Sequence, residues 1–103
     1  MRKIAVLAAL AGLSPWAMAD NTELGKEVFT QTAQPSCTIC HALADAGSSG
    51  AIGPDLDELR PSREQIVNAV VGGVGVMPAF EDSLSSEQIE ALADYILSVT
   101  SDQ

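Results

Sequence analysis

The chain reads as four helices joined by loops, three of them carrying an apolar stripe at helical spacing, and no stretch makes a convincing strand. From Asn21 to Ala33, Leu24, Val28 and Thr32 recur at helical intervals beside Gly25 and Phe29, which predicts a first helix. A short turn is expected from Cys37 to about Asp45, and Gly47-Ser48-Ser49-Gly50 reads as a loop by composition. Ser62, with Gln65 at the capping-box position, opens a third helix whose stripe is Ile66, Ala69 and Val70, and Gly72-Gly73 closes it. The last helix is the best defined. Ser85 stands at its N-cap with Gln88 three residues on, Leu84 is placed to staple onto Ile89, and Ile89, Leu92, Ala93, Ile96 and Val99 follow at helical spacing. Glu90 and Asp94 fall outside that stripe. Val70, Val71, Val74 and Val76 would suit a strand, but three glycines interrupt them. The expected architecture is all-α, about four short helices in one domain, without internal repeats.

The apolar run ahead of the first helix belongs to a different kind of segment. Arg2 and Lys3 precede an unbroken apolar stretch from Ile4 to Leu13, and Ala17-Met18-Ala19 supplies small residues at a cleavage site. Residues 1–19 are therefore expected to be a secretory signal peptide, with residues 20–103 as the exported domain, in a bacterial periplasm. An uncleaved anchor is the alternative, although the run is shorter than the roughly 20 residues that span a bilayer. No stable membrane insertion is expected.

Processing changes what the composition means. It leaves 84 residues, a size that buries too little apolar surface for comfortable stability without a disulfide, metal or cofactor. Trp16 leaves with the leader, so Phe29, Phe80 and Tyr95 are the only aromatic residues available to a core. Something other than side chains should fill its centre. Lys26, Arg60 and Arg63 then face 14 acidic residues, a net charge of −11. Such a surface disfavours nucleic acid and anionic membranes and suits a basic docking patch on a partner protein, or serves solubility alone.

Cys37-Thr38-Ile39-Cys40-His41 is the C-x-x-C-H pattern of covalent haem attachment. On one turn of chain both thiols reach the vinyl edge of one porphyrin, and the histidine that follows lies under the iron. His41 is the only histidine and Cys37 and Cys40 are the only cysteines, so the chain offers three of the four ligands that a structural zinc site needs. A thioredoxin-like dithiol would want a βαβ setting. A Cys37–Cys40 disulfide remains as the structural alternative. One haem c, with His41 as an iron ligand, is the expected cofactor.

Met77 is the only methionine outside the leader, and a neutral, soft thioether is the natural second axial ligand. Gly72, Gly73 and Gly75 let backbone pass close to a flat ring, and Pro78 stiffens the segment that follows. A gap-filling core methionine is the alternative. With both axial positions filled by His41 and Met77, no open iron site would be left for oxygen chemistry.

With these residues in order, the sequence resembles the class I monohaem cytochromes c. The likeness lies in Cys37-Thr38-Ile39-Cys40-His41, Gly53-Pro54-Asp55-Leu56, Val76-Met77-Pro78-Ala79-Phe80 and a terminal helix with Ala93-Asp94-Tyr95-Ile96, and it covers nearly all of residues 20–103. It implies a small helical fold wrapped round the haem, with electron transfer as the function and no catalytic residues. It also implies that the Pro54 carbonyl receives the outer ring N–H of His41; a plain loop proline is the other reading. Gly25 and Phe29 resemble the pair at which the first helix crosses the last, near Tyr95. Arg60 is a candidate for a haem propionate or a solvated side chain, and the family's usual tryptophan near the propionates is missing. The runs Gln34-Pro35-Ser36-Cys37, Pro54 to Leu59 and Gly75-Val76-Met77-Pro78 are further similar to the small haem subunits or soluble acceptors of periplasmic molybdenum sulfite dehydrogenases. The implied partners are a dehydrogenase as electron donor, sulfite-oxidising in this narrower reading, and another cytochrome or a terminal oxidase as acceptor. The alternative function is a haem enzyme or gas sensor in which Met77 is displaceable.

Overall fold

The structure, a computed structural model, describes residues 21–101. The signal peptide read over residues 1–19, and Trp16 within it, lie outside these residues. Along the chain run α1 (Asn21–Glu27) with a π-helical turn over Val28–Thr32, α2 (Cys37–Cys40), β1 (Ala42–Leu43), a 3-10 turn (Ala44–Ala46), β2 (Ser48–Ser49), α3 (Leu56–Leu59), α4 (Arg63–Gly72) and α5 (Ser86–Thr100). The fold is mainly helical, as the periodicity predicts.

Both predicted capping boxes are present. Ser62 Oγ accepts from the Gln65 N–H at 3.1 Å while Gln65 Oε1 accepts from the Ser62 N–H at 2.8 Å. Ser85 and Gln88 repeat the arrangement at 3.0 and 2.8 Å. Each box satisfies two N–H groups that the first helical turn leaves without partners, which fixes where the helix begins.

The first predicted helix differs in its second half. Its last turn is wide, with the Ala33 N–H bonded to the Val28 carbonyl at 3.0 Å, five residues back. Gly47-Ser48-Ser49-Gly50 is not wholly loop, because Ser48 and Ser49 pair with Leu43 and Ala42 in a two-residue antiparallel ladder. Gly47 turns this hairpin with a positive φ of 69°. The valine-rich stretch forms no strand; Val74 and Met77 make one isolated bridge.

The core forms where α5 packs on α1 and α4. Val28, Phe29, Ile66, Val70, Leu84, Ile89, Leu92 and Ile96 are all buried in it. α1 and α5 cross in close contact at Gly25, where an added Cβ would stand 2.0 Å from the Ala91 carbonyl oxygen and 2.6 Å from Tyr95 Cβ. Below the crossing Phe29 meets Tyr95 edge to face, their ring centroids 6.0 Å apart. Glu90 and Asp94, outside the apolar stripe, both bind Arg63, the first at 2.9 Å, and tie the start of α4 to α5.

Buried Tyr95 donates its hydroxyl to Asp45 at 2.7 Å, and Lys26 stands 3.3 Å from the same carboxylate oxygen. The phenol's hydrogen bond, helped by Lys26, holds the Asp45 carboxyl below its usual range. A depressed native pKa means that this carboxylate's stabilisation is complete above the unfolded value, near 4, and is lost as pH falls through the native one. Urea midpoints measured from pH 7 down to 2.5 should therefore drop more steeply for the wild type than for Asp45→Asn. Equal slopes would remove Asp45 from the acid response.

Candidate cofactor site

The site is built around the single turn of α2. Ser36 caps it, its Oγ accepting the Thr38 N–H at 3.2 Å. The turn brings Cys37 and Cys40 to one side, and the His41 N–H closes it on the Cys37 carbonyl at 2.9 Å. Chain direction then changes: His41 is extended, with φ −112° and ψ 136°, so its ring leaves the helix axis.

Residues 50–54 fold back over this turn. Gly50 lies so close that a Cβ there would meet the Ile39 carbonyl oxygen at 2.5 Å, and the Gly53 N–H bonds to the Cys40 carbonyl at 2.7 Å. At Gly53 a Cβ would press on the imidazole itself, 2.7 Å from Cε1. His41 Nδ1 stands 2.8 Å from the Pro54 carbonyl oxygen. A carbonyl only accepts, so Nδ1 carries a proton, which leaves Nε2 as the ring nitrogen available to a ligand. Pro54 begins the next segment, where Asp55 caps α3 by accepting from the Asp57 N–H at 2.9 Å.

Met77 approaches from the loop between α4 and α5. Its N–H and carbonyl both bond to Val74, at 2.8 and 3.1 Å, which closes a two-residue turn over Gly75-Val76. Of the three glycines read as a path past a flat ring, only Gly73 is crowded, and its neighbours are protein backbone.

Cys37, Cys40, His41, Pro54 and Met77 all line one cavity of about 780 Å³. That lies inside the range of about 300–1,000 Å³ typical of small-molecule and cofactor sites. Phe29, Leu56, Ile66, Val70, Phe80, Leu92 and Ile96 supply most of the remaining wall. Four of the five large apolar side chains that are exposed among the described residues, Ile52, Leu59, Val74 and Val76, lie on it too. Apolar groups gathered at a rim suit a flat apolar ligand. Gln65 and Asn68 of α4 are the only amide side chains among the described residues of the lining, positions that helical periodicity alone would assign to a solvated face. None of the three cations Lys26, Arg60 and Arg63 lines it.

Both cysteines are free thiols. Burial pushes the Cys37 thiol up to about 11, the reverse of the lowered thiol pKa of a dithiol redox motif. Among the described residues no three His, Cys, Asp or Glu side chains stand together as a bare-ion site. The donor set instead fits a haem: two thiols one helical turn apart, an imidazole with Nε2 free, a thioether, and apolar walls between them.

A small helical domain enclosing such a site is a c-type haem protein by construction, and comparison with known proteins agrees. Residues 20–96 match the family described as cytochrome c oxidase, cbb3-type, subunit III. Cytochrome c6 of Rippkaea orientalis is 34% identical over 93 residues, covering 82% of this chain and 77% of the relative. Cytochrome c-551 of Halorhodospira halochloris is 27% identical over 75 residues, 72% of this chain and 95% of that one. The crystal structure of the c-type cytochrome SorU from Sinorhizobium meliloti superposes with a TM-score of 0.75 at 47% identity, covering 79% of this chain and 92% of that chain. The chain belongs to this cytochrome c family, as a class I member that transfers electrons through a c-type haem and is not itself an enzyme. Among the described residues no helix is long and apolar enough to cross a membrane.

Proposed function

We propose that this protein is an exported carrier holding one haem c, bonded through Cys37 and Cys40 and ligated by His41 and Met77, which relays electrons from a dehydrogenase to another cytochrome or a terminal oxidase. The observation that carries the reading is the His41–Pro54 hydrogen bond at 2.8 Å on the wall of the cavity that also takes both thiols and Met77. When bound, the haem supplies a reversible one-electron couple at iron. Cys37 and Cys40 would hold the haem through thioether bonds, and because such a bond is an S–H addition to a vinyl group, attachment would need no oxidant. The Pro54 carbonyl holds His41 in the Nδ1–H tautomer, keeping Nε2 directed as a donor and raising its basicity. Met77 offers a neutral sulfur that favours the reduced iron. The apolar wall keeps water from the couple, which lessens the solvent rearrangement each electron costs.

The charge supports a basic docking patch on the partner. Lys26 is taken up by Asp45 and Arg63 by Glu90 and Asp94, leaving the surface field strongly negative. Export through a leader cleaved after Ala19, to the periplasm, rests on the charged start, apolar run and small-residue site of residues 1–19. A sulfite-oxidising donor rests on the motif resemblance in the loops around Cys37, Pro54 and Met77.

The test is the protein made alongside haem-attachment machinery. A mass of one haem per chain beginning at Asp20, and a low-spin ferric spectrum with the weak near-infrared band of sulfur ligation, are expected. A high-spin ferric spectrum at neutral pH would turn the reading toward an enzyme or sensor with a displaced Met77. Mixed with a sulfite-oxidising molybdenum enzyme and sulfite, the ferric protein should be reduced at a rate that falls as salt is added. No reduction there, with fast reduction by other dehydrogenases, would remove the sulfite donor and leave the carrier.

A further inference from the structure

We infer that Gly73 is a positioning residue for Met77, a backbone fulcrum that seats the thioether and makes it a non-exchangeable ligand. This inference rests on the reading of Met77 as an iron ligand. Gly73 follows the last turn of α4, its N–H bonded to the Ala69 carbonyl at 2.8 Å, and it turns the chain with a φ of 77°. A Cβ at this position would stand 2.7 Å from the Met77 carbonyl oxygen, 2.9 Å from the Ala79 nitrogen and 3.0 Å from the Pro78 carbonyl carbon. All three are backbone atoms of the segment carrying the methionine. No side-chain rotation can relieve such a contact, so the segment itself would have to move.

Two further restraints hold the same segment. Val74 and Met77 exchange both of their hydrogen bonds across the Gly75-Val76 turn. Gly75 has a positive φ of 57° and Val76 does not, the pattern of a type II′ turn with glycine first. At the far end the Phe80 N–H bonds to the Val70 carbonyl at 2.8 Å, and the Phe80 side chain is buried in the core. The methionine backbone is thus held against Gly73 on one side, clasped to Val74 ahead of it and anchored to α4 behind it. A ligand that leaves the iron must first loosen this strap. The strap therefore favours the ligated state and works against the displaceable Met77 that a sensor or enzyme would need.

The experiment compares holoprotein variants Gly73→Ala, Gly75→Ala, Gly47→Ala and Met77→Ala for the near-infrared sulfur band, the midpoint potential and imidazole affinity of the ferric state. Gly73→Ala should weaken the band, lower the potential and bind imidazole about tenfold more tightly, the scale of a strained backbone released by ligand loss. Gly75→Ala strains only the turn, since nothing lies within 4 Å of its Cβ; it should shift the same readouts in the same direction by less. Gly47→Ala places an alanine at a left-handed φ of 69° in the β1–β2 hairpin, off the cavity wall, and should leave all three at wild-type values. Wild-type readouts for a folded Gly73→Ala overturn the inference. Should that variant fail to fold, wild-type readouts for Gly75→Ala overturn it instead. If Met77→Ala itself keeps the band and the potential, the ligand assignment fails; if it loses both while the glycine variants do not, only the strap fails.

Discussion

Without its haem, whether made in cells lacking the attachment machinery or as a Cys37→Ala, Cys40→Ala double variant, the polypeptide is expected to be unfolded at 25 °C. The cavity explains the size of the effect. At about 24 cal/mol per Å³, an empty apolar void of about 780 Å³ would cost roughly 19 kcal/mol. Because one side opens to solvent, part of that cost is absent, yet even half, roughly 9 kcal/mol, matches the 5–15 kcal/mol that holds a whole domain together. Phe29, Leu56, Ile66, Val70, Phe80, Leu92 and Ile96 all turn part of their surface to this space, so the shared core of α1, α4 and α5 loses packing at once. The thioether links add a second effect by tying the ligand to the chain, so that its binding free energy is never diluted away. Far-ultraviolet circular dichroism of the pigment-free chain should show little helix, and its proton spectrum should lack shifted methyl signals. A cooperative melt with native helix content would mean that side chains alone fill the centre.

The cavity among the core helices was legible as a shortage of large side chains, because Phe29, Phe80 and Tyr95 are the only aromatic residues after Trp16. The two longest helices were legible for a local reason: Ser62 with Gln65 and Ser85 with Gln88 mark their first turns, and an apolar stripe follows each. α3 escaped the pattern. Its four residues are too few to show a period, and only Asp55, a capping residue before Leu-Asp-Glu-Leu, announces it. The β1–β2 ladder is held by two residues a side and a glycine turn, with no alternation to read. The wide turn of Val28–Thr32 is invisible in the spacing, which suits an ordinary helix equally well. Of the site, the cysteine and histidine spacing is itself the chemistry and could be read directly. The approach of the Pro54 carbonyl to an imidazole 13 residues earlier could not, since it depends on Gly50 and Gly53 letting the loop lie against α2; it entered through likeness to a family. Gly73 lines the cavity, where a glycine suits the edge of a flat ring, and its missing Cβ also makes room for the methionine's own backbone, which no spacing could reveal.

Gly25→Ala is expected to cost about 3 kcal/mol or more of stability while leaving the haem attached, since one methyl group here meets backbone rather than a yielding side chain. Its Cβ would fall 2.0 Å from the Ala91 carbonyl oxygen and 2.7 Å from the carbonyl carbon, inside any contact a protein tolerates. α1 would have to lift from α5, and the cost would spread. Buried Val28 and Phe29 would lose contact, the edge-to-face pairing of Phe29 with Tyr95 would open, and Tyr95 would move off Asp45. Alanine's better helix propensity returns only about 1 kcal/mol. For a domain of this size, 3 kcal/mol lowers the melting temperature by at least about 12 °C. Gly47→Ala separates crowding from backbone strain, because its Cβ would meet nothing within 4 Å although its φ is 69°; about 1 kcal/mol is expected there. Thermal melts of the three holoproteins, followed by circular dichroism at neutral pH, should therefore rank wild type, Gly47→Ala and Gly25→Ala in falling order. A Gly25→Ala protein melting within two or three degrees of wild type would show that α1 and α5 do not cross as closely as this packing requires, and the position of Tyr95 beneath them would have to be drawn again.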